Sequence, residues 1–153
     1  MVMSEMQTLD ELMSDQAQVA VKYAAQVCGV TLDYSEASIQ QVEQMLSKLY
    51  DAVPKEPDDP VGRKSLTKSD ILQKISTAMG GYIGEVIKRQ WGGKWKRHSP
   101  IYPEQELLTL ETVGIDIWPH MKVEKRLTNG PEDDVWFYFL ALKDHIHKRY
   151  DVA

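Results

Sequence analysis

Cysteine is nearly missing from this chain: Cys28 is the only one in 153 residues. A single thiol excludes an internal disulfide and any cysteine-rich metal site. It stands near the end of an apolar helix face, where a buried and inert thiol is expected. Long apolar runs are missing too, and no stretch approaches the roughly 18–20 residues of a membrane-spanning helix. The first residues, MVMSEMQTLDELMSD, are acidic and show neither the basic nor the apolar segment of a secretory signal, so a cytoplasmic protein is expected. The patterns GxxxxGK[ST], GxGxxG, GxSxG, HExxH and CxxC do not occur. Nucleotide binding, nucleophilic hydrolysis and zinc chemistry therefore lack a motif. His145 and His147 are two residues apart, whereas a helical chelating pair is spaced by four. No metal and no cofactor are expected.

What is present is ordinary globular material. Hydrophobic residues make up 42% and charged residues 27%, which fits one soluble domain with a sizeable core. The net charge of −5 divides unevenly along the chain. Residues 1–62 carry a net −8, residues 63–98 a net +7 and residues 99–153 a net −4. A basic middle between acidic ends suits either an acidic partner or mutual neutralisation within the fold, and an acidic whole favours neutralisation.

The strongest local signal lies in Ser69 to Trp95, SDILQKISTAMGGYIGEVIKRQWGGKW. Ile71, Leu72, Ile75, Met79, Tyr82, Ile83, Val86 and Ile87 recur at helical steps and predict one wide buried face. Gly80, Gly81 and Gly84 interrupt that face, and Gly92-Gly93 ends it. Each interior glycine costs roughly 0.5–1 kcal/mol relative to alanine, so close approach of neighbouring elements is expected there. The expected neighbours are the 107–118 hairpin and the last helix.

Around this central helix the periodicity predicts helices at 9–28 and 36–53, forming a helical hairpin. Val30 to Tyr34 between them reads as a brief strand or an extended connector. A proline-rich linker follows at 54–66, and the part from 67 to 150 is a helix, a small sheet and two further helices, all within one domain, 1–153. Alternation in Lys94 to Arg97, Leu108 to Val113 and Ile115 to Trp118 predicts three short antiparallel strands, the last two joined at Gly114. Pro119 begins a helix that Asn129-Gly130 closes. Pro131 to Asp134 opens the last helix, and VWFYFLAL at 135–142 is apolar all round, as a buried helix would be. The fold class is α+β, with about five helices around a three-stranded antiparallel sheet.

Few residues offer chemistry. Glu85 is a carboxylate in an apolar region and needs a partner, and Lys122 or Arg126 is expected to supply a structural ion pair. A small enzyme using Glu85 with Lys122, Arg126 or His120 is the competing possibility. His120 is expected as a solvated loop residue. The stretch RQWGGKWKRH, 89–98, interleaves cations with Trp91 and Trp95, as single-stranded nucleic-acid binders do. Strand alternation would instead place Trp95 in the core, and the acidic surroundings favour that.

The stretch GGYIGEVIKRQWGGKW is followed, after a hairpin, by Pro119, Lys122-Val123, Lys125-Arg126-Leu127 and Asn129 to Asp133. Together these resemble a group of small bacterial domains of unknown function. Their common form joins G-Y-[IL]-G-E-V, a GG-x-W exit and a K-V-x-K-R-L-x-N-G-x-E-D stretch, and LDYSEAS before the second helix also fits. The resemblance covers about 30–153 and implies an α+β fold without established catalytic residues. Some proteins of this general kind look like immunity proteins beside secreted toxins. The expected function is accordingly a non-enzymatic cytoplasmic protein that binds and neutralises a toxin. Its contacts are expected at Glu56, Asp58, Asp59, Glu132, Asp133 and Asp134, carboxylates suited to a basic cleft. Nucleic acid and membranes are not expected partners.

Overall fold

The computed structural model describes residues 7–52, 70–98, 104 and 106–150. Among these it contains five α-helices and one three-stranded antiparallel sheet, an α+β arrangement. Helix α1 (Leu9–Tyr23) opens with a capping box: Glu11 N donates to Thr8 Oγ1, and Thr8 N donates to Glu11 Oε1. It runs on into a π-helical turn, Ala24–Cys28, stopped by Gly29 at φ 66°. The wider turn shifts the helical phase, so Ala24 stays buried while Val27 and Cys28 face solvent. The expected buried thiol is thus corrected: Cys28 is exposed.

Residues 29–35 are a connector, and no strand forms there. A relay of hydrogen bonds fastens it to the core. Tyr34 N donates to Tyr82 Oη at 2.7 Å, Tyr82 Oη meets Ser38 Oγ at 2.7 Å, and Ser38 Oγ donates to the Ser35 carbonyl. The relay lets a tyrosine hydroxyl sit in the core with both its roles satisfied.

Helix α2 (Glu36–Ala52) packs on the last two helices, whereas α1 packs on the central one. The hairpin expected over 9–53 is therefore opened out, its two arms lying on different parts of the molecule. The linker at 54–66 lies outside the described residues.

Helix α3 (Asp70–Trp91) runs through the core, with every residue from Ala78 to Ile87 buried. Its glycines seat three different neighbours. A Cβ on Gly81 would meet Gln16 of α1 at 2.7 Å, one on Gly80 would meet His120 at 2.7 Å, and one on Gly84 would overlap the Trp95 ring. The chief neighbours of α3 are thus α1 and α4, in place of the expected hairpin and last helix. The hairpin touches it through β2, and the last helix through Phe139 against Trp91.

Past Gly92 and Gly93 the chain turns into β1 (Lys94–Lys96), which pairs with β2 (Thr109–Thr112), which in turn pairs with β3 (Ile115–Ile117). Trp95, Leu110 and Ile117 stand opposite one another and are all buried, so the sheet presents one apolar row inward. Val113 and Gly114 join β2 and β3 at φ 44° and 77°, the positive pair that a type I′ turn requires. Pro119 begins α4 (Pro119–Asn129), a 3₁₀ turn covers Pro131–Asp133, and α5 (Val135–Tyr150) follows.

Gly84→Ala is expected to lower stability by about 1–3 kcal/mol through overpacking against Trp95, outweighing the gain of up to ~1 kcal/mol in helix propensity. Urea unfolding measures this, and a variant as stable as the parent would mean the Trp95 seat has room to spare.

Candidate functional site

Glu85 is buried on α3, and its Oε2 accepts a hydrogen bond from Trp95 Nε1 at 2.9 Å. The expected ion pair of Glu85 with Lys122 or Arg126 is corrected by where those cations go. Lys122 pairs with Asp133 at 2.9 Å, and Arg126 pairs with Glu43 at 2.9 Å. The reason is the seating of α4. Its His120 packs against Gly80, while the side carrying Arg126 faces α2.

The Arg126–Glu43 pair is the deepest charge contact among the described residues. Arg126 is 1% exposed, and its Nε lies 3.0 and 2.9 Å from the two carboxylate oxygens of Glu43. Glu43 also accepts from Val135 N at 3.1 Å, which ties the start of α5 to α2. Arg126 Nη1 is buried without a partner. The position of Glu43, four residues after Ile39 and three before Leu46, puts it beside the buried stripe of α2, the one local signal in the sequence for its role.

His120 is likewise not the solvated loop residue expected. It lies in the first turn of α4, with its ring edge-on to Trp95 at 5.7 Å and its Nε2 2.7 Å from Gln16 Oε1. The amide oxygen only accepts, so Nε2 carries the proton and Nδ1 keeps its lone pair. Nδ1 is buried without a partner. Burial lowers the pKa of His120 to about 4.

Of the carboxylates expected to meet a partner, Glu56, Asp58 and Asp59 lie outside the described residues. Glu132 is exposed. Asp133 accepts from Asn129 and Lys122, which hold its carboxyl below the usual range, and Asp134 caps α5 by accepting from Phe137 N at 2.8 Å. Asp133 and Asp134 thus hold the α4–α5 junction together, and Glu132 is the one member of this trio that faces solvent.

Several members of the basic stretch 89–98 are engaged within the molecule. Trp95 is 3% exposed, and Trp91 packs on Phe139 with ring centroids 5.7 Å apart. Arg89 lies over the Tyr34 ring at 3.5 Å, Lys96 pairs with Asp116 at 3.0 Å and Glu111 at 3.5 Å, and Arg97 pairs with Glu106 at 3.1 Å.

The surface feature that the sequence reading missed is on α5. Val135, Phe139, Leu142 and Ile146 face the core, but Phe137 is 71% exposed and Leu140 42%. The expectation of a buried helix is corrected for that side. A single-layer contact buries only one sector of a helix, so an all-round apolar run leaves its far side in water. Phe137, Leu140 and Ala141 are three and four residues apart and form a ridge.

Two grooves flank the N-terminal half of α3. One of about 320 Å³ lies against α4 and is lined by Leu72, Ser76, Met121, Leu127 and Lys125 among others; one of about 440 Å³ lies against α1 beside Val19 and Lys74. Glu85 lines neither. Among the described residues no three of His, Cys, Asp and Glu come together as a metal would need, and no helix is long and apolar enough to cross a membrane. Comparison with protein-family models, with curated proteins and with solved structures gave no match, so the resemblance to small bacterial domains stands on its quoted motifs alone.

Two outcomes follow from the buried groups. His120 resists protonation when folded, so the unfolded chain binds the extra proton. Its contribution is complete above about pH 6.5 and is lost as pH falls toward 4, on the order of 3 kcal/mol in all. Denaturant unfolding at several pH values should show a shallower slope across this range in His120→Gln than in the parent. Separately, Glu43→Leu strands a buried guanidinium and is expected to cost about 3–5 kcal/mol, whereas Glu43→Leu with Arg126→Met should recover most of that. Thermal unfolding of the two variants makes the comparison.

Proposed function

We propose that this chain is a protein-binding domain and not an enzyme, and in its narrower form a cytoplasmic immunity-type protein that binds and neutralises a toxin. The observation that carries it is the α5 ridge. Phe137 and Leu140 stand 71% and 42% exposed on a helix whose other side is core. An apolar ridge bordered by polar groups is what an interface core looks like before its partner arrives, and large aromatic side chains supply most of the energy in such contacts. Glu132 at the N-terminal end of the ridge and the net charge of −5 favour a basic partner and speed its approach.

The competing possibilities draw less support. An enzyme using Glu85 meets a carboxylate already engaged by an indole, with Lys122 and Arg126 held elsewhere and both grooves lined by other residues. A nucleic-acid binder using 89–97 meets a buried Trp95, unable to stack on a base, and cations already paired at Lys96 and Arg97.

Affinity capture from the native host with the parent and with Phe137→Glu is the test. The expected result is a basic protein that co-elutes with the parent, is lost with the variant, and arrests growth unless this chain is co-expressed. Because Phe137 is exposed, the variant should unfold within about 0.5 kcal/mol of the parent, so loss of the partner reports binding. Equal capture by both proteins would remove the ridge from the interface, and a partner whose toxicity is the same with and without this chain would end the immunity reading.

A further inference from the structure

We infer that the groove between α3 and α4 binds a free α-amino acid with an apolar, hydroxyl-tipped side chain, L-tyrosine being the type. The groove is apart from the α5 ridge and does not rest on the protein-binding reading. The two helices are pressed together where His120 sits on Gly80, and toward the start of α3 they enclose about 320 Å³. That volume lies at the lower end of small-molecule pockets and suits a ligand of amino-acid size. Leu72 and Ser76 face it from α3, and Met121, Glu124, Lys125 and Thr128 from α4. Steps of three, four and seven residues put each set in one sector of its helix, so together they line a single channel.

The lining sets the chemistry of the ligand. Leu72, Met121 and Leu127 supply apolar surface, and Ser76 sets one hydroxyl among them. Ser76 is 8% exposed, and no hydrogen bond joins its hydroxyl to a described residue. A helical serine can turn its hydroxyl back onto the preceding turn, so one left unbonded beside a groove is open to a ligand. Burying an unmatched hydroxyl costs free energy, and a ligand hydroxyl, donor and acceptor at once, removes that cost. Glu124 and Lys125 stand exposed at the rim, and neither forms an ion pair with a described residue. Lys125 feels Asp133 at longer range, but that carboxylate is already held by Lys122 and Asn129. A ligand carrying only a carboxylate would be drawn by Lys125 and repelled by Glu124, and a simple amine the reverse. An α-amino acid holds its ammonium and carboxylate on one carbon and gains at both residues. Its apolar body then covers the floor, and its terminal hydroxyl meets Ser76.

Amide NMR spectra of the full chain, titrated with L-tyrosine into the millimolar range, test this. Saturable shifts should cluster on residues 72–77 and 121–129. Three analogues each lack one recognised group: L-phenylalanine the hydroxyl, tyramine the carboxylate and hydroxyphenylpropionate the ammonium. Each should bind several-fold more weakly than tyrosine. N-acetyltyrosine amide, which has neither charge and imitates a tyrosine within a peptide, should bind more weakly still. Ser76→Ala should remove the preference for tyrosine over phenylalanine, and Lys125→Glu should reverse the preference for tyrosine over tyramine. Damage to helix packing would weaken all these ligands alike and produce neither change. Phe137→Glu should bind tyrosine as the parent does, so this result and that of partner capture are read separately. Absence of shifts in the groove, equal binding of tyrosine and its analogues, or a tyrosine preference that survives Ser76→Ala would overturn the proposal.

Discussion

Trp95 seated against Gly84 is the contact on which the rest of the molecule depends. The ring lies where a side chain at position 84 would begin, and its indole N–H satisfies the buried Glu85 one residue on. Placing the ring there requires β1 to return onto α3 directly after the helix ends. Gly92 and Gly93 permit it with φ of 79° and 148°, and Thr112 Oγ1 closes the corner by donating to the Gly92 carbonyl. From Trp95 the apolar row continues through Leu110 to Ile117, and the chain then enters α4, where His120 fills the space above Gly80. A run of small residues on one helix thereby sets the positions of a strand, a hairpin and a second helix. Interiors packed at crystal-like density leave little freedom to shift any of them alone.

Charge is handled by the same compact arrangement. The basic middle of the chain meets acidic groups from both ends: Lys88 pairs with Asp10, Lys96 with Asp116, and Arg97 with Glu106. Further along, Arg126 reaches Glu43 and Lys143 reaches Glu36, binding α2 to α4 and α5. The exposed pairs contribute little each to stability. Arg126–Glu43 differs because its arginine is fully buried, so its value lies in specifying how α2, α4 and the start of α5 meet, and removal of one partner is far more harmful than the pair is helpful.

These commitments shift attention from the carboxylates to α5. Glu85, Asp133 and Asp134, residues that invite a functional reading in one dimension, are engaged in holding elements together. What remains outward and unusual is apolar. Phe137 and Leu140 occupy the far side of a helix whose near side is already core, and Phe137 is the most exposed of the large hydrophobic residues described. An apolar face carried on a rigid helix is formed before any partner arrives, which lowers the ordering cost of binding.

Local patterns in the sequence determined the elements. Helical periodicity placed α3 and α2, the glycine pair marked the exit from α3, alternation around Gly114 produced the hairpin, and Pro119 began α4, because each depends on neighbours only a few residues away. Tertiary structure alone decided the partners. Glu43 is 83 residues from Arg126, and Gln16 is 104 from His120, distances over which spacing carries no information. The π-turn that exposes Cys28, and the single covered side of α5 that exposes Phe137, were equally beyond local pattern. An apolar residue looks the same in a sequence whether another element covers it or water does, and only packing settles which.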